Sequence, residues 1–162
     1  MSGIIGGGEN SSGIIGKHGL VPQKWSAARM TQSSTISVGS NTWVKLIYNA
    51  VPYDELGEIG SSRFTAKYAG IYNASAVLRA SDFAWTAAQG LYIAIRINGT
   101  EQITKRTNAG GSFTSAVNVS LSGDFSLAIG GYIEFWVHQQ TAGTQNVGTG
   151  ASYNNSSIHR VA

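Results

Sequence analysis

The sequence predicts an all-β domain of the sandwich or barrel class, and three observations predict it. Ile133, Phe135 and Val137 share one side of an alternating run while Tyr132, Glu134 and Trp136 share the other. That period of two marks a strand with one face in a core. Leu91, Ile93, Ile95 and Ile97 repeat the period and run into Asn98-Gly99, the strongest short hairpin signal. Between such runs lie Gly-, Ser-, Thr- and Asn-rich turns at roughly 8–12-residue spacing, and no amphipathic helix pattern interrupts them.

The elements follow in order. Residues 25–31 are a first strand. Residues 42–50 alternate, with Val44, Leu46 and Tyr48 on one face and Trp43, Lys45 and Ile47 on the other. Residues 51–62 hold Pro52, Asp54, Glu55, Glu58 and two glycines, which reads as a long loop with a solvated acidic turn. Residues 64–68 and 71–80 are strands around the Ala69-Gly70 turn. Residues 82–90 are a loop carrying Trp85. The strand at 91–97 turns at Asn98-Gly99 into a return strand at 101–106. Strands at 113–121 and 125–129 are separated at Gly123-Asp124. Gly130-Gly131 leads into a strand at 132–139, residues 141–155 form a long uncharged loop, and 156–161 close the chain as the last of about ten strands.

Bulk composition bounds the function. The 162 residues suffice for one domain with a real core. Charged residues make up 12%, about half the usual share, and Gly, Ser, Thr and Asn fill the polar positions. The net charge of +3 comes from Lys and Arg scattered singly, apart from Lys105-Arg106, so no basic stripe points to nucleic acid. The absence of cysteine excludes disulfides and thiolate metal sites. No apolar run approaches the roughly 20 residues of a membrane span, and the N-terminus lacks the blocks of a signal peptide. The sequons at Asn73, Asn98 and Asn118 fall in strands or a tight hairpin and read as chance.

Residues 1–23 differ from the rest. Ser2-Gly3-Ile4-Ile5-Gly6 recurs as Ser12-Gly13-Ile14-Ile15-Gly16. Gly at this density opposes helix and isolated strand, yet paired isoleucines are too apolar for a plain linker. The segment reads as an anchoring arm, with Ile4, Ile5, Ile14 and Ile15 docking on another protein, attached to a domain at 24–162. Burying one Ile is worth about 1.5–3 kcal/mol.

Three motifs in that domain resemble a known family. They are Gly70-Ile71-Tyr72 after a Phe-led strand, Leu127-Ala128-Ile129-Gly130-Gly131-Tyr132-Ile133, and the closing Ser157-Ile158-His159-Arg160-Val161. They resemble the complement-1q and tumour-necrosis-factor-like jelly-roll superfamily over about residues 24–162. The family pattern has Asp where Gly131 stands here. Within the superfamily, Gly130-Gly131-Tyr132-Ile133-Glu134-Phe135 and the Ser-Gly-Ile-Ile-Gly start resemble virion proteins of tailed bacteriophages. The resemblance implies an antiparallel jelly roll of about ten strands and a homotrimer. Tyr72, Tyr132 and Trp136 are the expected trimer-interface residues, since three-fold packing would cover a second aromatic face.

No constellation carries chemistry, so an enzyme is not expected. His18, His138 and His159 are widely spaced, and Asp54, Glu55 and Glu58 lack the alternating ligand pattern of a Ca²⁺ loop. No Gly-x-Ser-x-Gly elbow occurs, no Lys-Ser/Thr follows Gly6-Gly7-Gly8, and the strand-borne acids Glu101 and Glu134 cannot be placed near each other. No catalytic residue, metal or cofactor is therefore expected. Trp43, Trp85 and Trp136 could make a sugar-stacking platform. Strand alternation assigns them to packing, except loop-borne Trp85, the expected contact for a surface ligand such as a host glycan. The function expected is a trimeric jelly-roll knob on the exterior of a virion. It would decorate or cement a phage capsid, held on the major capsid protein or another virion protein by the arm. A tail-fibre tip would need a longer shaft than 23 residues. The alternative is a receptor- or carbohydrate-binding tip of a tail fibre or of a bacterial surface protein.

Overall fold

Period-two alternation is satisfied when two sheets turn their apolar faces toward each other. The computed structural model describes residues 25–148 and 150–161. Thirteen strands form there, and no helix. They are β1 (Ala27–Thr31), β2 (Ile36–Val38), β3 (Val44–Lys45), β4 (Ala50–Asp54), β5 (Ile59–Gly60), β6 (Arg63–Thr65), β7 (Gly70–Trp85), β8 (Gly90–Ile97), β9 (Thr100–Asn108), β10 (Phe113–Leu127), β11 (Tyr132–Gln139), β12 (Gln145–Val147) and β13 (Asn155–Arg160).

In the seven-stranded sheet, β10 pairs along one edge of β7, and β13 and β12 share its other edge. Beyond β13 come β1 and β4, and beyond β12 comes β2. In the six-stranded sheet, β9, β8 and β11 are neighbours, and β6 and β3 share the far edge of β11, with β5 beside β6. All these pairings are antiparallel, giving the jelly-roll sandwich that the resemblance implied. Tyr72, Ala74, Ala76, Leu78 and Ala80 of β7 lie in one core with Leu91, Ile93 and Ile95 of β8 and Ile133, Phe135 and Val137 of β11. Edge-on ring pairs tie the sheets together, Phe64 with Tyr72 at 5.4 Å and Tyr48 with Phe135 at 6.2 Å. Each such pair adds about 0.5–1.5 kcal/mol beyond area burial.

The Asn98-Gly99 hairpin forms as expected, with φ of 51° and 82° at its two turn residues and Ile97 opposite Thr100. Elsewhere the structure corrects the sequence. The 42–50 strand shrinks to β3, because the chain changes sheets there. Leu46 N–H still donates to Phe135 O at 2.9 Å, whereas Asn49 N–H donates to Thr31 O of β1 at 3.2 Å. The 51–62 loop contains β5 and most of β4, and Pro52 is tolerated because β4 is an edge strand paired only with β1. The 82–90 loop is in part strand, since β7 runs on to Trp85 opposite Phe113. Gly123-Asp124 does not break β10, and a Cβ at Gly123 would lie 2.9 Å from Cζ of Phe125, so the glycine makes room for that ring. The 141–155 loop contains β12. The expected arm, residues 1–23 with its four isoleucines, lies outside the described residues.

Candidate functional site

The pleat that sends Ile93, Ile95, Ile133, Phe135 and Val137 inward leaves their neighbours on the outer face of the six-stranded sheet. Register then decides which of these meet. His138 lies opposite Tyr92, and Tyr92 opposite Arg106. Trp136 lies between Lys45 and Ala94. Glu134 lies opposite Arg96, and Arg96 opposite Glu101. Ala94 faces outward yet is fully covered, so the large side chains around it roof the sheet.

These side chains form a continuous chain of ring and charge contacts. The Arg106 guanidinium lies 5.1 Å from the Tyr92 centroid, and Tyr92 meets His138 edge-on at 4.9 Å. Trp43 lies 5.1 Å from His138. The Arg96 guanidinium sits between two indoles, 5.6 Å from Trp43 and 4.1 Å from Trp136. Trp136 Nε1–H donates to Glu134 Oε2 at 3.3 Å. Glu134 Oε1 accepts from Lys45 Nζ at 3.0 Å and pairs with an Arg63 terminal nitrogen at 2.9 Å, and Arg63 lies 3.9 Å over the Tyr132 ring. Desolvation pushes the Glu134 carboxyl upward, but the hydrogen bonds and charges of Lys45 and Arg63 together outweigh it and hold its pKa below 4.5. Burial alone pulls the His138 imidazole below 6.5.

Of the residues singled out in the sequence, Tyr132 and Trp136 share this outer face, joined by Trp43. Tyr72 does not reach a surface. Its side chain is fully buried, and its hydroxyl donates to Tyr68 O at 2.7 Å. Trp85 is no exposed loop contact either: it ends β7, is 2% exposed, and donates from Nε1 to Ser115 O at 3.1 Å. The acidic turn is not simply solvated. Asp54 caps the backbone N–H groups of Glu58 and Ile59 at 2.8 Å each. Glu58 is 3% exposed and accepts from the Ser26 hydroxyl and the Lys67 backbone N–H. Glu101 and Glu134 flank Arg96 from opposite sides, roughly 10 Å apart at the usual strand spacing, with a cation between them. Among the described residues, no group of three or more His, Cys, Asp and Glu could hold a metal ion. Sequence reasoning missed Arg96, Tyr92 and Arg63, and weighed His138 only as a metal ligand. The signal was present in the alternation, whose outward set Tyr92-x-Ala94-x-Arg96 is as regular as the inward one.

The outer face of the seven-stranded sheet differs in kind. Its central rows are Ser157, Ser75 and Ser122, then Asn155, Val77 and Ser120, with Arg29 and Tyr53 beyond Ser157. An open groove of about 650 Å³ runs beside them, lined in part by Ser75, Val77, Lys105, Ser120 and Asn155.

No family model and no curated protein matches the sequence. Solved structures do match the fold. The Eiger tumour necrosis factor of S. frugiperda superposes with a TM-score of 0.66 at 8% identity, over 86% of this chain and 94% of that one. For the globular domain of zebrafish complement 1qA the TM-score is 0.61 at 11% identity, over 86% and 98%. Murine APRIL gives 0.61 at 11%, over 85% and 100%. The chain has the jelly-roll fold of tumour-necrosis-factor-like and complement-1q-like domains.

Proposed function

We propose that this chain is a non-enzymatic, homotrimeric jelly-roll knob carried on the exterior of a virion by its N-terminal arm. The observation that carries the trimer is the outer face of the seven-stranded sheet. Its central rows are serine, asparagine and valine, with Arg29 and Asp124 toward two sides, Arg79 two residues along β7 from Val77 and Lys105 lining the adjoining groove. Small side chains let two such sheets approach closely, and an uncharged centre avoids burying unpaired charge. The aromatic face of the other sheet is the weaker choice. Arg63, Arg96 and Arg106 stack on its rings, and burying the face would desolvate all three, Arg96 without an ion-pair partner among the described residues. Tyr132 and Trp136 are accordingly assigned to the free surface and not to the trimer. The arm with Ile4, Ile5, Ile14 and Ile15 supplies attachment to the major capsid protein or another virion protein. The support for that is the repeated Ser-Gly-Ile-Ile-Gly and the phage-like run from Gly130 to Phe135. Linked weak sites on three chains gain about 10²–10⁴ in avidity.

Light scattering tests the trimer. The expected mass is three times the 17.0 kDa of one chain, and Ser75→Arg should give a folded monomer. A stable wild-type monomer at micromolar concentration would refute it. Removal of residues 1–23 should leave the trimer intact and abolish its sedimentation with particles. Full occupancy by the truncated trimer would move the anchor to the jelly roll.

A further inference from the structure

We propose that the outer face of the six-stranded sheet binds a carboxylate-bearing polysaccharide, with Arg96 at its centre. The site is built within one chain, so it stands or falls independently of the trimer and of the arm.

Arg96 is the strongest observation. Its guanidinium is held between Trp136 at 4.1 Å and Trp43 at 5.6 Å. Its Nε is buried without a hydrogen-bond partner. The ion pairs among the described residues join Glu134 to Lys45 and Arg63, and neither involves Arg96. A planar cation fixed between two rings and lacking an acceptor is preorganised for a planar oxyanion, which it can take in bidentate fashion. On the other side of Trp43, His138 Nδ1 is likewise buried without a partner. Charge points the same way. Lys45, Arg63, Arg96 and Arg106 share this face with Glu134 and Glu101. Glu134 is already engaged by Lys45 and Arg63, and Glu101 accepts from Thr104 at 2.6 Å.

The ring contacts decide between ligand classes. Nucleobases bind such surfaces by stacking on open ring faces. Here guanidinium groups occupy those faces, Arg106 on Tyr92, Arg96 on Trp136 and Arg63 on Tyr132. What remains is ring edges beside guanidinium edges. An acidic sugar chain fits what remains, with carboxylates for the guanidinium edges and hydroxyl oxygens for the positive edges of the indole and phenol rings. The face also suits a repeating ligand. Arg96 stands four residues along β8 from Tyr92, on which Arg106 stacks, so the two cationic stations lie roughly 13 Å apart along the strand. A sheet face offers a linear polymer no end wall.

The test is calorimetry or biolayer interferometry of the full chain against polygalacturonate. Wild type should bind, more weakly as salt rises through the range where the Debye length falls below about 10 Å. Arg96→Ala should weaken binding about tenfold or more. Arg96→Lys should weaken it comparably, since an ammonium keeps the charge but loses the planar fork. Arg106→Ala is exposed and serves as the second variant if Arg96→Ala does not fold. Failure of wild type to bind would overturn the proposal. So would equal binding by wild type and both Ala variants, equal binding of neutral dextran, or tighter binding of sulfated dextran or oligo-dT.

Discussion

Glu134→Gln keeps the shape of the side chain at the middle of the aromatic face and removes its charge. The carboxylate is 6% exposed, and its two oxygens do different work. Oε1 takes Lys45 Nζ and Arg63 Nε at 3.0 Å each, and Oε2 takes the Trp136 indole N–H at 3.3 Å. A glutamine has one acceptor oxygen. If that oxygen faces the cations, its NH₂ group meets the indole donor, and if it is turned, its NH₂ group meets two cations. A sheltered charge-assisted hydrogen bond contributes about 1.5–3 kcal/mol. Lys45 is 21% exposed and qualifies, whereas Arg63 is 40% exposed and solvent screening leaves it under about 1 kcal/mol. The net expectation is a loss of about 2 kcal/mol near neutral pH, or roughly 4–8 °C in Tm for a chain of this size. The dependence on pH carries the sharper test. The folded-state pKa of Glu134 lies below 4.5, so its contribution is fully present above that value and is lost as pH falls through the folded pKa. The gap between wild type and variant, followed by thermal melts monitored by circular dichroism, should therefore narrow progressively as pH falls below 4.5. A gap that stays constant over that range would refute the electrostatic argument and leave only shape, and so would no gap near neutral pH.

Two further perturbations test other parts of the reasoning. Gly123→Ala should destabilise by about 1–2 kcal/mol, because its Cβ would lie 2.9 Å from Cζ and 3.2 Å from Cε2 of Phe125, and that overpacking exceeds the gain from a stiffer unfolded chain. In a Phe125→Leu background the same change should cost less than half as much, as read from denaturant midpoints. His138→Gln should make the protein relatively more stable than wild type as pH falls below 6.5. The unfolded imidazole takes a proton there while burial withholds it from the folded one, so wild type loses stability on acidification and the variant does not share that loss. Melting temperatures that track each other from pH 8 to about pH 5 would contradict this.

How much was legible in the sequence varied with the range of the interaction. Period-two alternation named the inward residues of β8 and β11 correctly, because side-chain direction along a strand is set by the backbone alone. Asn98-Gly99 specified its hairpin for the same reason, since both turn residues need positive φ and these two residue types tolerate it. Strand ends were not legible. The 42–50 run looks like one strand locally, but the chain crosses from Phe135 on one sheet to Thr31 on the other within it. Gly123 looked like a breaker because the ring that occupies its missing side chain, Phe125, shows only as a neighbour in sequence. Composition misplaced Trp85 and Glu58. A loop tryptophan and a loop glutamate are usually solvated, yet here β7 extends to enclose the first, and the Ser26 hydroxyl with the Lys67 backbone N–H binds the second. The aromatic face shows the division most clearly. Each of Trp43, Arg63, Arg96, Trp136 and Arg106 stands as a scattered residue in the chain, and the basic residues look too sparse to form a patch. Which face each would take was determined by local alternation. That they would meet was decided only by the registers of β3, β6, β8, β9 and β11, because cross-strand neighbours are set by pairing between distant segments and leave no local trace in the sequence.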